Sequence, residues 1–505
     1  MVVMPTLEVP RARHLIDGAW VPSRHQGELP ILDPATRRPF HAMAGGDAVD
    51  VDAAVGAARR AAPGWAATNP SERGALLGRW ADLVLEHVEE LAAIEAQDVG
   101  KPLSGARLNI YITHGIIQYF AGAADKLTGV TLPTRSPDYF GFTLPEPYGV
   151  CAVIIPWNVP AVLTAANVAP ALAAGNTVVL KPSEVAPLAA FALGELAIRA
   201  GFPPGVLNVV GGLGRDAGVA LTSHPGVDHI SFVGSTGTGR AIMAAAAANL
   251  VPVKLELGGK SPNVLFADAD LDVAIPAIVA SITENAGQNC YAGSRLVVEA
   301  SIHDQVVERI AAAMKDVRLG AWDADLDMGP LVSAAQQEKV LGFLTEAAAG
   351  GARLVTGGSG SGGSVSGGSG SGGSTGGGSG GGEGWFVEPT VFDGVQPGMR
   401  LAQEEIFGPV LAVQSFSGTE QAVELMNGTD FGLLACLWTS DISRALRLAK
   451  QVRSGQVAIN QFHDAGVIGF PFNMQKDSGF SAGGGYGALR EYTQEKAVAV
   501  RLLPS

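Results

Sequence analysis

An α/β fold built on parallel sheets is what this chain predicts, and three observations carry the prediction. Short, wholly apolar runs recur between helical stretches from residue 150 onward. Residues 147–180 hold no charged side chain, yet Pro156, Pro160 and Pro170 interrupt them. The chain has 505 residues, and single cores stop growing beyond about 250–300, so two or three domains are expected. Strands buried on both faces read as continuous apolar runs, and helices between them impose parallel pairing.

Taken in order, residues 48–64 and 70–98 show helical spacing, with Asp50 and Ser71 as candidate caps and Gly100 as a stop. Val150-Cys-Ala-Val-Ile-Ile155 and Thr177-Val-Val-Leu180 read as buried strands around a buried helix. That reading displaces a membrane span, because the prolines and Asn158, Asn167 and Asn176 break the stretch. Leu207-Asn-Val-Val210 and His229-Ile-Ser-Phe-Val233 continue the series, and a second α/β region runs from about Leu265 to Asn460. Between Gly357 and Gly384 only Val365, Thr375 and Glu383 are neither Gly nor Ser. Such a run buries no apolar surface and is expected to be a solvent loop inside one domain, because Leu354 before it and Phe386-Val387 after it look like strands.

Composition narrows the function. With 47% hydrophobic and 16% charged residues, the chain can bury a large interior. A net charge of −14 and a pI near 5.1 exclude nucleic acid as a partner, since that needs a concentrated basic surface. The three cysteines form neither a disulfide framework nor a zinc pattern. Met1 to Pro10 lacks the form of a signal peptide, and a reducing cytoplasm is the expected compartment.

Of the cysteines, Cys151 and Cys436 sit in apolar runs and read as core, whereas Cys290 follows Gly287-Gln-Asn289. A thiol of pKa about 8.5 is little ionised at neutral pH, so a nucleophilic Cys290 needs a base or a positive field nearby. Glu256, in Lys254-Leu-Glu-Leu-Gly-Gly-Lys260, is the candidate base. On its own it reads first as the solvated face of a half-exposed strand. Gly258-Gly259 raises the functional reading, because paired glycines after a strand let a backbone or ligand approach closely. Asn158 ends a buried strand, where its amide either donates to a developing oxyanion or caps the helix starting near Pro160. Gly234-Ser-Thr-Gly-Thr-Gly239 lies between strand and helix, where nucleotide phosphates bind, although it departs from the usual glycine fingerprint. Lys181-Pro-Ser-Glu184 follows another strand end, and its ammonium and carboxylate suit two ribose hydroxyls; plain loop charges are the bland alternative. A carboxylate at position 184 would repel a 2′-phosphate, favouring NAD over NADP.

Together these residues, with Pro156-Trp157-Asn158 and Glu404-Glu-Ile-Phe-Gly-Pro-Val410, resemble the non-acylating, NAD-dependent branch of the aldehyde dehydrogenase superfamily over nearly the whole chain. The resemblance implies a Rossmann-type parallel-sheet domain for NAD from residues 1–128 and 148–258. It also implies an α/β catalytic domain at 259–476, containing the Gly/Ser loop 357–384, and a small β bridging element from 129–147 and 477–505. It implies Cys290 as nucleophile, Glu256 as base, and Asn158 with the Cys290 N–H as oxyanion hole. Trp157, Lys181, Ser183, Glu184, Gly234, Ser235, Glu405 and Phe407 would bind the cofactor. Val159, Val162, Leu163, Ala166, Asn289, Tyr291, Asn460 and Phe462 would line the substrate tunnel, with His463 more at home in solvent.

The family's large tunnel aromatics after Pro-Trp-Asn are replaced here by the smaller Val159, Val162, Leu163 and Ala166. A roomier tunnel for a bulky aromatic or branched aldehyde is therefore expected, oxidised to the acid through a thioester on Cys290. Pro471-Phe-Asn-Met-Gln-Lys-Asp-Ser-Gly479 departs from the family's pattern near the bridging strand. A homodimer or homotetramer is implied. The rivals are a coenzyme A-acylating enzyme, against which Glu256 speaks, and a non-catalytic binding protein of the same fold.

Overall fold

The computed structural model describes residues 7–24, 27–361, 363–364, 383–462 and 468–503. Most of the Gly/Ser run, and His463 with it, falls outside the described residues.

The first sheet has eight strands in the order Ala19–Pro22, Arg13–Ile16, Leu207–Val209, Thr177–Pro182, Val150–Ile155, His229–Val233, Val253–Glu256, Gly479–Phe480. Its five central strands are parallel. In chain order the path begins in the middle at Val150–Ile155, moves outward to one side, then returns to build the other from His229–Val233. That reversal places a crevice beyond the carboxyl ends of these two neighbours, which is where open α/β sheets bind ligands. Val150, Cys151, Ala152 and Val153 have no solvent exposure, as the uncharged run predicts.

The second sheet runs Arg353–Thr356, Thr390–Asp393, Val410–Phe416, Arg295–Glu299, Pro262–Leu265, Leu434–Trp438, Gln456–Ile459. All are parallel except the first, which pairs antiparallel with Thr390–Asp393 at the sheet's edge. The Gly/Ser run therefore begins and ends at one margin of this sheet. Phe386-Val387 is not a strand of it, however. Val387 makes only an isolated bridge to Gly360, and the strand starts three residues later.

A third, three-stranded sheet joins Thr131–Leu132, Tyr139–Pro147 and Thr493–Arg501. Tyr139, Phe140, Leu144 and Val500 are exposed on it. The segment expected to bridge, 477–505, does not all join this third sheet, because Gly479–Phe480 first closes the edge of the first sheet beside Glu256. The unusual stretch before it still docks: Phe472–Asn473 pairs with Ala482–Gly483, and Gln475–Lys476 with Phe431–Gly432.

Helix boundaries correct three expectations. Asp47, not Asp50, caps Ala48–Ala67, its carboxylate accepting from the N–H groups of Val49 and Asp50. Asn69, not Ser71, caps the next helix by accepting from the Ser71 N–H. The single helix expected over 70–98 is two, Pro70–Glu86 and Val88–Val99, divided at His87. Gly100 does stop the second, in a left-handed conformation at φ 89°. The helix that follows, Leu103–Ala123, was not anticipated and walls the functional cavity. None of the described helices is long and apolar enough to cross a membrane.

Asn176 ties three of these parts together. Its side chain accepts from the Gly149 N–H at 3.0 Å and donates to the carbonyls of Ala171 at 3.1 Å and Tyr492 at 2.9 Å. Replacing it with Ala strands buried polar groups at a cost of roughly 1–3 kcal/mol each. Asn176→Ala is expected to lower Tm by several degrees in calorimetry, and an unchanged Tm contradicts this account of the junction.

Candidate active site

One cavity of about 380 Å³ lies between the carboxyl ends of the first sheet and the amino ends of the second, two of whose strands begin shortly after Cys290, Tyr291, Glu405 and Phe407. From the first sheet it takes Trp157 and Asn158, after Val150–Ile155, and Gly234 and Ser235, after His229–Val233. Glu256, the last residue of its strand, lines it as well. From the other side come Cys290, Tyr291, Glu405 and Phe407. Val159, Val162, Leu163 and Ala166 present one face of the helical segment at i, i+3, i+4 and i+7.

The local chain path explains why Cys290 is held there. Asn285, Ala286 and Gly287 have φ of 50°, 54° and 70°, three successive left-handed residues. Non-glycine residues in that region cost of order 1–3 kcal/mol each, and such strain persists only where the surroundings enforce it. Gly287 is needed in its place, since a Cβ there would lie 2.2 Å from the Gly408 carbonyl oxygen. The Gly258-Gly259 pair serves the same loop. A Cβ on Gly259 would lie 2.1 Å from the Cys290 carbonyl oxygen, and one on Gly258 would lie 2.7 Å from a Glu405 carboxylate oxygen.

Burial pushes the Cys290 thiol up to about 12, and the nearby Glu405 and Glu256 carboxylates push the same way. The sulfur is therefore held as a thiol. Cys151 and Cys436 are fully buried in their sheets, as their apolar settings imply.

Glu256 is no solvated face. It is 8% exposed, and one carboxylate oxygen lies 2.6 Å from the buried Lys254 ammonium. Lys254 also donates to Asn167 at 2.8 Å, and Ser231 donates to the same Asn167 oxygen at 3.0 Å. Asn158 does not cap the helix Pro160–Ala174, whose cap residue is Val159 with no side-chain bond. Its amide instead donates to the Gln288 carbonyl at 3.0 Å, two residues before Cys290. An amide NH₂ carries two donors, so one remains for a ligand.

The nucleotide-type features cluster at the switch point. Ser235 caps the helix Thr236–Asn249, accepting from the Thr238 N–H at 3.3 Å, so that helix N-terminus opens beside the cavity. Glu405 accepts the Gly259 N–H at 3.0 Å, and burial raises its pKa. Trp157 meets the Phe407 ring edge-on at 5.3 Å. Lys181, Ser183 and Glu184 stand outside the cavity lining, at the end of the strand paired with Val150–Ile155. The Lys181 ammonium is 3.6 Å from the Glu184 carboxylate and donates to the Pro182 carbonyl; burial lowers its pKa while Glu184 opposes that.

Three expected tunnel residues do not line the cavity. Asn289 is 3% exposed and turns back toward the Glu284 carbonyl. Asn460 is fastened to Thr439, accepting from its N–H and donating to its carbonyl. Phe462 approaches only through the Tyr291 ring, 5.9 Å away. The tunnel wall comes instead from Ile112, Ile116, Tyr119 and Phe120 of Leu103–Ala123, and from 468–472. Their i, i+4, i+7, i+8 spacing was a readable signal of an apolar helix face. Gln336 and Lys339 also line the cavity, and Gln336 donates to the Phe407 carbonyl at 2.6 Å.

A doubly wound sheet with a helix N-terminus at its switch point, facing a thiol and a carboxylate, defines a dinucleotide-dependent enzyme. Residues 20–498 match the model of the aldehyde dehydrogenase family, and the chain belongs to that family. It is 41% identical to retinal dehydrogenase 2 of Mus musculus over 504 residues, 99% of this chain and 93% of that protein. It is also 41% identical to hydroxyisobutyraldehyde dehydrogenase of Mycolicibacterium austroafricanum, covering 97% of this chain and 94% of that one. Among solved structures, betaine aldehyde dehydrogenase of Staphylococcus aureus in complex with NAD+ superposes with a TM-score of 0.92 at 35% identity, covering 98% and 95% of the two chains. The protein is thus an oxidoreductase, an aldehyde dehydrogenase.

The thiol's chemistry gives a direct expectation. Because thiolate is the reactive form, iodoacetamide should modify Cys290 about tenfold faster per pH unit from 7 to 10 in the cofactor-free protein. Glu405→Gln removes one opposing charge and should raise the rate at pH 8. A rate that levels off near pH 8 contradicts the raised pKa.

Proposed function

We propose that the protein oxidises a bulky apolar aldehyde, aromatic or branched, to its carboxylic acid through a covalent adduct on Cys290. The observation that carries the reading is the single cavity that takes in the Cys290 thiol, the Glu256 carboxylate and the Asn158 amide together with the glycine turn at Gly234.

Lys181, Ser183 and Glu184 are suited to the adenosine ribose, and Gly234 with Ser235 to the pyrophosphate. Glu405 suits the nicotinamide ribose, with Phe407 and Trp157 against the ring. The donor set fits: two carboxylates for ribose diols, and backbone N–H groups at a helix start for phosphate. The raised thiol pKa makes proton removal the first requirement, and Glu256 is the carboxylate on the same cavity that takes the proton. The Cys290 sulfur then attacks the aldehyde carbon, and the oxygen becomes an anion that Asn158 and the Cys290 N–H stabilise. The chemistry that the nicotinamide supplies when bound is hydride acceptance, by which the adduct becomes a thioester. Once Glu256 has passed the thiol's proton to solvent, it removes a proton from water; hydroxide attack on the thioester releases the acid and the Cys290 thiolate, which takes that proton back from Glu256. A water-activating carboxylate favours hydrolysis over transfer to coenzyme A.

Ile112, Ile116, Tyr119 and Phe120 opposite Val162 and Ala166 make the tunnel apolar, which supports the substrate class. Exposed apolar side chains on the three-stranded sheet support self-association, as a homodimer or homotetramer. A reducing cytoplasm would suit the free thiol.

The test is NADH formation at 340 nm with a panel of aldehydes and no coenzyme A. Benzaldehyde-type and branched substrates should exceed acetaldehyde at least tenfold in kcat/KM, and Cys290→Ala should give no turnover. Turnover that requires coenzyme A, or persists in Cys290→Ala, refutes the reading. Glu256→Gln should slow deacylation, so mass spectrometry should find an adduct of acyl mass on Cys290 in single turnover; absence of the adduct assigns the base elsewhere. Glu184→Ala should raise kcat/KM for NADP relative to NAD, and an unchanged ratio removes Glu184 from cofactor choice.

A further inference from the structure

Two buried charges stand just behind the cavity and take no part in the chemistry above. Glu95, in Val88–Val99, has no solvent exposure, and Lys101, just past Gly100, is 4% exposed. Their ammonium and carboxylate meet at 3.0 Å. A buried ion pair loses its hydration, and replacing one with apolar side chains is often neutral or stabilising, so stability alone is a weak reason for it.

The remaining bonds of the pair point in one direction. Lys101 donates to the main-chain carbonyl of Asn158 at 2.8 Å. Glu95 accepts the N–H of Ala161 at 3.0 Å through its second oxygen, while Asn109, a cavity residue, donates to the first at 2.7 Å. Ala161 lies in the first turn of Pro160–Ala174, where N–H groups have no partner within the helix. That helix has no side-chain cap of its own. Glu95 therefore does from another helix what an Asn at position 158 would otherwise do locally. Asn285 completes the clamp by donating to the same Asn158 carbonyl at 3.0 Å.

We propose that the Glu95–Lys101 pair is a positioning device for Asn158. It anchors the carbonyl of that residue and caps the following helix, and so leaves the Asn158 amide free to face the reacting oxygen. The proposal rests on reading Asn158 as the donor to that oxygen. Glu95 and Lys101 touch no substrate; they act through the residue they hold. A shift of about 1 Å in such a donor can cost about 100-fold in rate.

The experiment is a double-mutant cycle on the full-length enzyme, read as the pre-steady-state NADH burst with saturating NAD and benzaldehyde. Lys101→Met should slow the burst about tenfold or more while KM for NAD stays within twofold. In the Asn158→Ala enzyme, itself slowed, adding Lys101→Met should change the burst less than twofold, because the donor being positioned is already gone. If Lys101→Met does not fold, Glu95→Gln runs the same cycle, keeping the side-chain volume and an acceptor for the Ala161 N–H while removing the charge. Equal slowing in both backgrounds, or a normal burst in the single variant, overturns the positioning role alone. An unslowed burst in Asn158→Ala overturns the donor reading and the proposal with it.

Discussion

At Gly259 the main chain passes so close to the Cys290 carbonyl that a methyl group would stand 2.1 Å from the oxygen. At Gly258 the neighbour is the Glu405 carboxylate, which also accepts the Gly259 N–H. This contact is the hinge between two sheets. It joins the end of the strand bearing Glu256 to the loop bearing Cys290 and to the segment bearing Glu405. Without two adjacent residues lacking side chains, thiol and carboxylate would belong to separate walls. Ser478 reinforces the join from below, donating to the Gly258 carbonyl and accepting the Gly432 N–H.

Charge is distributed around this hinge so that the resting site is quiet. Glu256 is engaged by Lys254, the Cys290 thiol is kept protonated by burial and by two carboxylates, and one Asn158 donor is occupied by Gln288. All three groups line one cavity, and the Glu256 carboxylate and the Asn158 amide each have a protein partner there.

Much of this was legible in the sequence. The buried strands from Val150 to Val233 were visible because parallel strands covered on both faces carry no polar alternation, and their helices are forced between them. The gathering of Glu256, Cys290 and Asn158 at one cavity was legible because Gly-Gly, Gly-Gln-Asn-Cys and Pro-Trp-Asn each impose a local backbone demand. What escaped was decided by tertiary contact. Asn158 was poised between cap and donor until Glu95, 63 positions earlier by subtraction, supplied the cap. Glu256 looked half-exposed because its strand alternates, but Gly479–Phe480 pairs beside it and Gly483 and Lys254 stand against its carboxylate. Leu103–Ala123 went unread although Ile112, Ile116 and Tyr119 mark its face, and Asn460 was assigned to a wall that its bonds to Thr439 keep it from.

The antiparallel margin of the seven-stranded sheet has one more implication. Arg353–Thr356 and Thr390–Asp393 are outermost, set apart by Val410–Phe416 from Arg295–Glu299, the strand that the Cys290 loop enters. Chain inserted between the outer two strands adds closure entropy that grows only slowly with length, about 0.6 kcal/mol per doubling. Nothing it adds has to pass near the sulfur. The margin is therefore a site where this enzyme can lengthen, shorten or carry a foreign peptide while its chemistry stays untouched.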